Sequence, residues 1–193
     1  MFGNDLGMNV IFLDIDGVLN FSKSMWRLNY ETNKSYKLEP GEMGGMYGID
    51  QDKVAILLDL IEQTQAKLVL SSTWRLSKDW LKTMDANGIP ARLFIGRTPS
   101  HPLIGGAETM ERGHEIQAWL ETNKDLALPC NSPTSCPPPT RAMCMGHKVG
   151  RYAILDDDSD MLPGQPLFQT SWEEGLTQDI ADRVRDYFCI QLS

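Results

Sequence analysis

The 193-residue chain is short of positive charge: 18 Lys and Arg stand against 26 Asp and Glu, a formal net charge of −8. That deficit excludes a protein that grips long nucleic acid by a broad basic face, because such binding needs a stripe of Lys and Arg along the phosphates. It leaves room for a local pocket in which a few Arg side chains meet one terminal phosphate. Long apolar runs are missing too. None approaches the roughly 20 residues of a membrane-spanning helix, and no secretory leader precedes the first apolar strand, so a cytoplasmic protein is expected. Cysteine is scarce, with four in all, and a reducing compartment argues against a disulfide framework. Internal repeats are absent and no second core is visible. Residues 1–193 therefore read as a single domain with room for modest insertions.

What is present centres on Val10-Ile11-Phe12-Leu13-Asp14-Ile15-Asp16-Gly17-Val18-Leu19-Asn20. Four apolar residues ending at turn chemistry predict a strand buried on both faces. In a parallel α/β sheet, ligands bind at the carboxyl ends of the strands. Side chains two apart on an extended segment point the same way, so Asp14 and Asp16 are expected to converge, with Ile15 packed behind. Two acids beside a glycine suit a hard cation and a nucleophile. A pair of solvated loop aspartates is the plainer alternative.

Two further apolar runs end in functional side chains. Ala66-Lys67-Leu68-Val69-Leu70 leads into Ser71-Ser72-Thr73-Trp74-Arg75, and Tyr152-Ala153-Ile154-Leu155 leads into Asp156-Asp157-Asp158-Ser159-Asp160. Four acids crowded at one strand tip would repel one another without a cation. Between the strands, Asp50 is placed to cap a helix running to Gln65, with Val54, Leu57, Leu58 and Ile61 on one face. Leu76 to Gly88 reads as a helix closed by Asn87-Gly88. Ala91 to Ile95 reads as a strand, with Arg97 and Thr98 in its exit loop. A helix begins near Glu111-Arg112, Leu167 to Thr170 forms a fifth strand, and a last amphipathic helix follows Gly175. Strands alternating with helices predict a doubly wound parallel sheet.

The segment Asp14-Ile15-Asp16-Gly17-Val18-Leu19 resembles the first motif of the haloacid dehalogenase (HAD) superfamily, whose phosphatases carry D-x-D-G-[TV]-[LI]. More narrowly, Ser-Ser-x-Trp-Arg after the second strand resembles the small-capped HAD phosphatase domains of nucleic-acid repair proteins, of the polynucleotide kinase 3′-phosphatase type. The resemblance spans residues 10 to 177. It implies that Asp14 is a nucleophile and Asp16 an acid/base. Ser71, or Ser72 if the register shifts by one, would donate to the phosphate. Arg112 would stand where the superfamily more commonly has Lys, holding both nucleophile and phosphate. Arg75 is a further phosphate clamp, its alternative being a surface residue that opens the next helix. Mg2+ would be held by Asp14, the Asp16 carbonyl and Asp157, with Asp156 beside it. His114 reads as a surface residue of its helix.

Two stretches do not follow the α/β pattern. Residues 21–48 are polar and aromatic, too short for a folded cap domain, and fit a flap; Trp26, Arg27 and Tyr30 would meet a base or sugar there, or pack the flap down. Residues 124–150 are proline-rich. Cys130, Cys136, Cys144 and His147 in that insertion supply enough ligands for a closed tetrahedral Zn2+ site, the alternative being a loop with free thiols. The expected partner is a phosphorylated nucleotide or nucleic-acid end. A 5′-nucleotidase-type or general small-molecule phosphatase, or a catalytically silent phosphate-binding module, are the competing readings.

Overall fold

The computed structural model describes residues 7–21, 48–99, 111–124 and 149–189. Its framework is a five-stranded, all-parallel sheet: β1 (Met8–Leu13), β2 (Lys67–Leu70), β3 (Phe94–Arg97), β4 (Val149–Asp156) and β5 (Leu167–Gln169), in the order β3-β2-β1-β4-β5. The helices are α1 (Gln51–Thr64), α2 (Trp80–Ala86), α3 (Arg112–Thr122) and α4 (Gln178–Cys189). The doubly wound α/β expectation is met. The chain builds outward from β1 to β3, then returns to the other side of β1 for β4 and β5. The reversal between β2 and β4 leaves a crevice at the carboxyl end of β1, where open α/β sheets bind ligands.

Strand alternation sorts the core into two layers. Ile11, Leu13 and Ile15 face one way, into a cluster with Val54, Leu57 and Ile61 of α1, Trp80 and Met84 of α2, and Ile180 and Val184 of α4. Val10 and Phe12 face the other way, onto Ile116 and Trp119 of α3. The central strand therefore has no solvent face, which is why it reads as an unbroken apolar run. Phe12 meets Trp119 and Tyr152 edge-on, at ring-centroid distances of 5.4 and 5.7 Å.

Several boundaries differ from the sequence reading. Asp50 does cap α1, its carboxylate accepting from the N–H groups of Asp52 and Lys53. The helix expected over 76–88 is instead a 3-10 turn, Thr73–Leu76, followed by the short α2. Ser77 adopts an extended backbone and its hydroxyl accepts from the Asp79 N–H, which interrupts the helix. The strand expected from Ala91 starts at Phe94, because Ala91–Leu93 forms a 3-10 turn whose first N–H is taken by the Asp85 carboxylate. Val149 and Gly150, read as the end of the insertion, belong to β4.

The flap of 21–48, with Trp26, Arg27 and Tyr30, lies outside the described residues apart from its ends. So does most of the 124–150 insertion, including Cys130, Cys136, Cys144 and His147. Among the described residues no helix is long and apolar enough to cross a membrane.

Phe12 is fully buried between β1 and α3. Phe12→Ala should therefore destabilise the fold by about 3–5 kcal/mol, from lost transfer energy and an unfilled cavity. Urea unfolding of the two proteins measures it.

Candidate active site

The sheet ladder continues one residue beyond the strand ends. The Asp14 N–H donates to Leu155 O (2.9 Å), Ser71 N–H to Leu13 O (2.8 Å), Thr98 N–H to Leu70 O (2.9 Å) and Thr170 N–H to Asp156 O (2.9 Å). These bonds align Thr98, Ser71, Asp14, Asp156 and Thr170 in one row along the carboxyl edge. The chemistry of the site is thus set out by strand register before any side-chain contact is made.

Asp14 is 4% exposed and Asp156 fully buried. Their carboxylates and that of Asp157 can each bring one oxygen within 4.8 Å of the others. Burial raises the Asp14 carboxyl to about 6, opposed by Arg112 and by hydrogen bonds from Ser72 and the Ile15 N–H, with the Asp16 charge adding to the rise. Burial, then the charge of Asp14, pushes Asp156 up to about 8 against the pull of Arg112. Asp157 is also raised, by burial and then by Asp158. Crowded carboxylates that resist ionisation are what a divalent cation relieves, so the donor set fits a metal ion such as the superfamily uses. Gly17 makes the crowding feasible. Its φ is +75°, and a Cβ there would lie 2.2 Å from the Asp157 carboxylate carbon.

Arg112 is the cation in direct contact with these acids. Its Nη1 donates to Asp14 Oδ1 (3.1 Å) and to the Ser71 carbonyl, and its Nε lies 3.1 Å from Asp156 Oδ2. The last contact is an ion pair without hydrogen-bond alignment, since Asp156 Oδ2 has no hydrogen-bond partner. The N-terminus of α3 is seated by the loop after β4. Asp160 accepts from the Arg112 N–H through its carboxylate (2.9 Å) and from the Gly113 N–H through its carbonyl (3.1 Å). Gly113 permits this approach, as a Cβ would stand 2.4 Å from the Leu162 nitrogen.

The two serines divide. Ser72 hydrogen-bonds to Asp14 and caps the 3-10 turn. The Ser71 hydroxyl is buried with no partner, a donor still in need of an acceptor. Arg75 departs from the sequence reading. It is no surface residue: it is buried, and its Nη2 donates to both oxygens of Glu115 at 2.7 Å. A guanidinium taken out of water needs a carboxylate more than it needs an occasional ligand. Arg97 donates to the carbonyls of Arg75 and Ser77, and Thr98 is buried with its hydroxyl unpartnered. His114 is exposed beside Glu111.

Asp16 finds different partners from Asp14. Its charge still reaches Asp14, but its carboxylate accepts from Asn20 Nδ2 (2.7 Å) and Trp74 Nε1 (3.0 and 3.2 Å) and lies outside the three-carboxylate cluster. Sequence reading gave no role to Trp74, Asn20, Glu115 or Thr170, whose hydroxyl donates to Gly17 O (2.8 Å). A donor-only indole and an always-charged Arg side by side in Ser-Ser-x-Trp-Arg are a signal that both side chains need acceptors. Which acceptors they find is a matter of tertiary packing.

A parallel sheet with acids at the tips of β1 and β4 and an Arg opening the intervening helix defines a HAD-type α/β domain. The chain belongs to the family described as the HAD domain in Swiss Army Knife RNA repair proteins, whose model matches residues 10–130. That match takes in Asp14, Asp16, Ser71 and Arg112 and ends before β4, so the placement of Asp156 and Asp157 rests on the geometry. No curated protein matches the chain. Membership suggests a phosphatase-type function.

Two outcomes follow from this arrangement. A carboxyl whose folded-state pKa lies above its unfolded value confers stability that is complete below about pH 4 and is lost as pH rises through the folded value. For Asp14 and Asp156 those values are about 6 and about 8. The metal-free protein should thus unfold at lower urea near pH 8.5 than near pH 5, and a divalent cation should narrow the gap by favouring the ionised acids. Separately, Glu115→Ala strands the buried Arg75 charge and should cost about 3–5 kcal/mol, whereas the apolar pair Arg75→Met/Glu115→Leu should recover most of that loss in the same unfolding assay.

Proposed function

We propose that the chain is a magnesium-dependent phosphomonoester hydrolase that works through an aspartyl-phosphate on Asp14. The observation that carries this reading is a buried Asp14 gripped by Arg112 beside two further acids. Phosphate monoesters resist hydrolysis strongly, so the site must both position the nucleophile and neutralise charge.

Asp14, Asp156 and Asp157 would hold the ion. When bound, Mg2+ would offset the repulsion between the carboxylate and the incoming phosphate. Arg112 keeps one Asp14 oxygen in place, leaving the other to attack phosphorus as the ester P–O bond breaks. Asp16 gives its proton to the departing oxygen, then takes one from the water that cleaves the acyl-phosphate. The Ser71 hydroxyl, short of an acceptor, donates to a phosphoryl oxygen, with the Arg112 guanidinium alongside.

Family membership supports a nucleotide or nucleic-acid end as the carrier of that phosphate. The net charge of −8 favours recognition of the terminal nucleotide or two. Salt dependence should accordingly be shallow, a log–log slope of magnitude below about 2.

Wild-type protein with Mg2+ should hydrolyse p-nitrophenyl phosphate. Asp14→Asn should fold normally and lose at least about 10³-fold in kcat; a rate near wild type in the folded variant rules out the covalent route. Comparing kcat/KM for a 3′-phosphorylated oligonucleotide, a mononucleotide and a sugar phosphate tests the substrate class. A win for the mononucleotide favours a nucleotidase, and a win for the sugar phosphate a general small-molecule phosphatase. Phosphate binding without any turnover would mark a silent binding module.

A further inference from the structure

The hydrogen bonds around Asp16 are asymmetric. Oδ1 accepts from Asn20 Nδ2 at 2.7 Å and from Trp74 Nε1 at 3.2 Å, while Oδ2 accepts from Trp74 Nε1 alone, at 3.0 Å. Both donors are anchored elsewhere. Asn20 is fully buried, and its carbonyl and side-chain oxygen each accept from the Gly17 N–H (2.9 and 3.3 Å). That contact fixes the amide so that its NH2 faces Asp16. Trp74 is buried in the 3-10 turn Thr73–Leu76, and an indole N–H can only donate. Ser72, the cap of the same turn, bonds Asp14.

We propose that Trp74 is a positioning residue for Asp16, its shared indole N–H and the Asn20 amide together fixing the orientation in which the carboxyl exchanges a proton with the leaving oxygen. The inference rests on the phosphatase reading above. The single indole N–H lies between the two carboxylate oxygens and the amide reaches only Oδ1, so together they fix the plane and rotation of the carboxyl. In the first step the Asp14–phosphorus bond forms and the bond to the leaving oxygen breaks. That oxygen takes a proton from Asp16, leaving a carboxylate that the indole and amide stabilise. In the second step a water oxygen bonds to phosphorus, the Asp14–phosphorus bond breaks, and the water proton passes to Asp16. Removing the indole N–H frees the carboxyl to rotate between its two oxygens, which harms proton delivery and spares nucleophilic attack.

The leaving group separates those two effects. An alkoxide leaves only as it is protonated, whereas p-nitrophenolate departs without help. The experiment measures kcat/KM, which reports the first transfer, for wild type, Trp74→Phe and Trp80→Phe with saturating Mg2+. The substrates are p-nitrophenyl phosphate and an alkyl phosphate, either β-glycerophosphate or the 3′-phosphorylated oligonucleotide. Trp80 is a buried Trp packed on Phe94 and controls for trimming an indole. Trp74→Phe should lose about 10- to 100-fold with the alkyl ester and less than about 3-fold with the aryl ester. Trp80→Phe should change neither. Equal losses on both esters, or no loss on either, would overturn the positioning role while leaving the phosphatase reading standing. If wild type cleaves neither ester, the phosphatase reading falls and takes this inference with it. A readout free of turnover covers a Trp74→Phe protein that does not fold. In the 15N-labelled protein, Asp16→Ala should move the Trp74 indole N–H resonance upfield and leave that of Trp80 in place. An unmoved Trp74 resonance would also overturn the proposal.

Discussion

Three carboxylates and one guanidinium share a buried corner at the end of β1, and much of the described structure serves to keep them there. Asp14 and Asp156 are fixed by sheet register, so neither can retreat from the other without breaking strand pairing. Their raised pKa values express that confinement. Arg112 is the counterweight, and it is held from three sides: Asp160 caps its helix, Gly113 lets the 160–162 loop close on it, and Glu115, one turn on, is tied to Arg75. The Arg75–Glu115 pair thus joins the segment after β2 to the helix that carries Arg112. Its contribution to the site is the placement of α3, with no direct contact on the acids of the cluster required.

Arg at position 112 does what an ammonium group could not. One planar fork spans Asp14, the Ser71 carbonyl and Asp156, linking the tips of β1, β2 and β4. A lysine offers a compact point charge on a flexible stem and would have to choose among these acceptors. An Arg at this position therefore suits a site where the cation also braces the strand tips.

Much of this was legible in the sequence. The β1 run, the acids at two strand tips and the helix opened by Arg112 were readable because strand burial and helix starts leave local signatures. The α1 cap at Asp50 was readable for the same reason. What escaped was decided by particular side-chain partners, some near in sequence and some far. The break at Ser77 depends on a side chain taking a backbone N–H two residues on, and the 3-10 turn at Ala91 on an acceptor from α2. Arg75 looked like a phosphate clamp because nothing nearby in sequence announces Glu115, forty residues later. The different partners of Asp14 and Asp16 were not readable either, because alternation predicts direction only while the backbone stays extended. Beyond Leu13 the chain turns, and Asp16 enters an isolated bridge with Asn20.

In the proposed mechanism, that turn gives the site its division of labour. Two aspartates two residues apart on a straight strand would have nearly the same surroundings, and nothing would separate a nucleophile from an acid. Here the bend sends Asp14 toward a cation and Asp16 toward neutral donors. The segment Ser72–Trp74 supplies a partner to each, a hydroxyl to the first and an indole to the second. Because both donors ride on one short 3-10 turn anchored at the tip of β2, the relative placement of the two acids is set by a single rigid element. On that mechanism, a shift of the turn would disturb attack and proton transfer together, whereas a change in one donor would disturb only one of them.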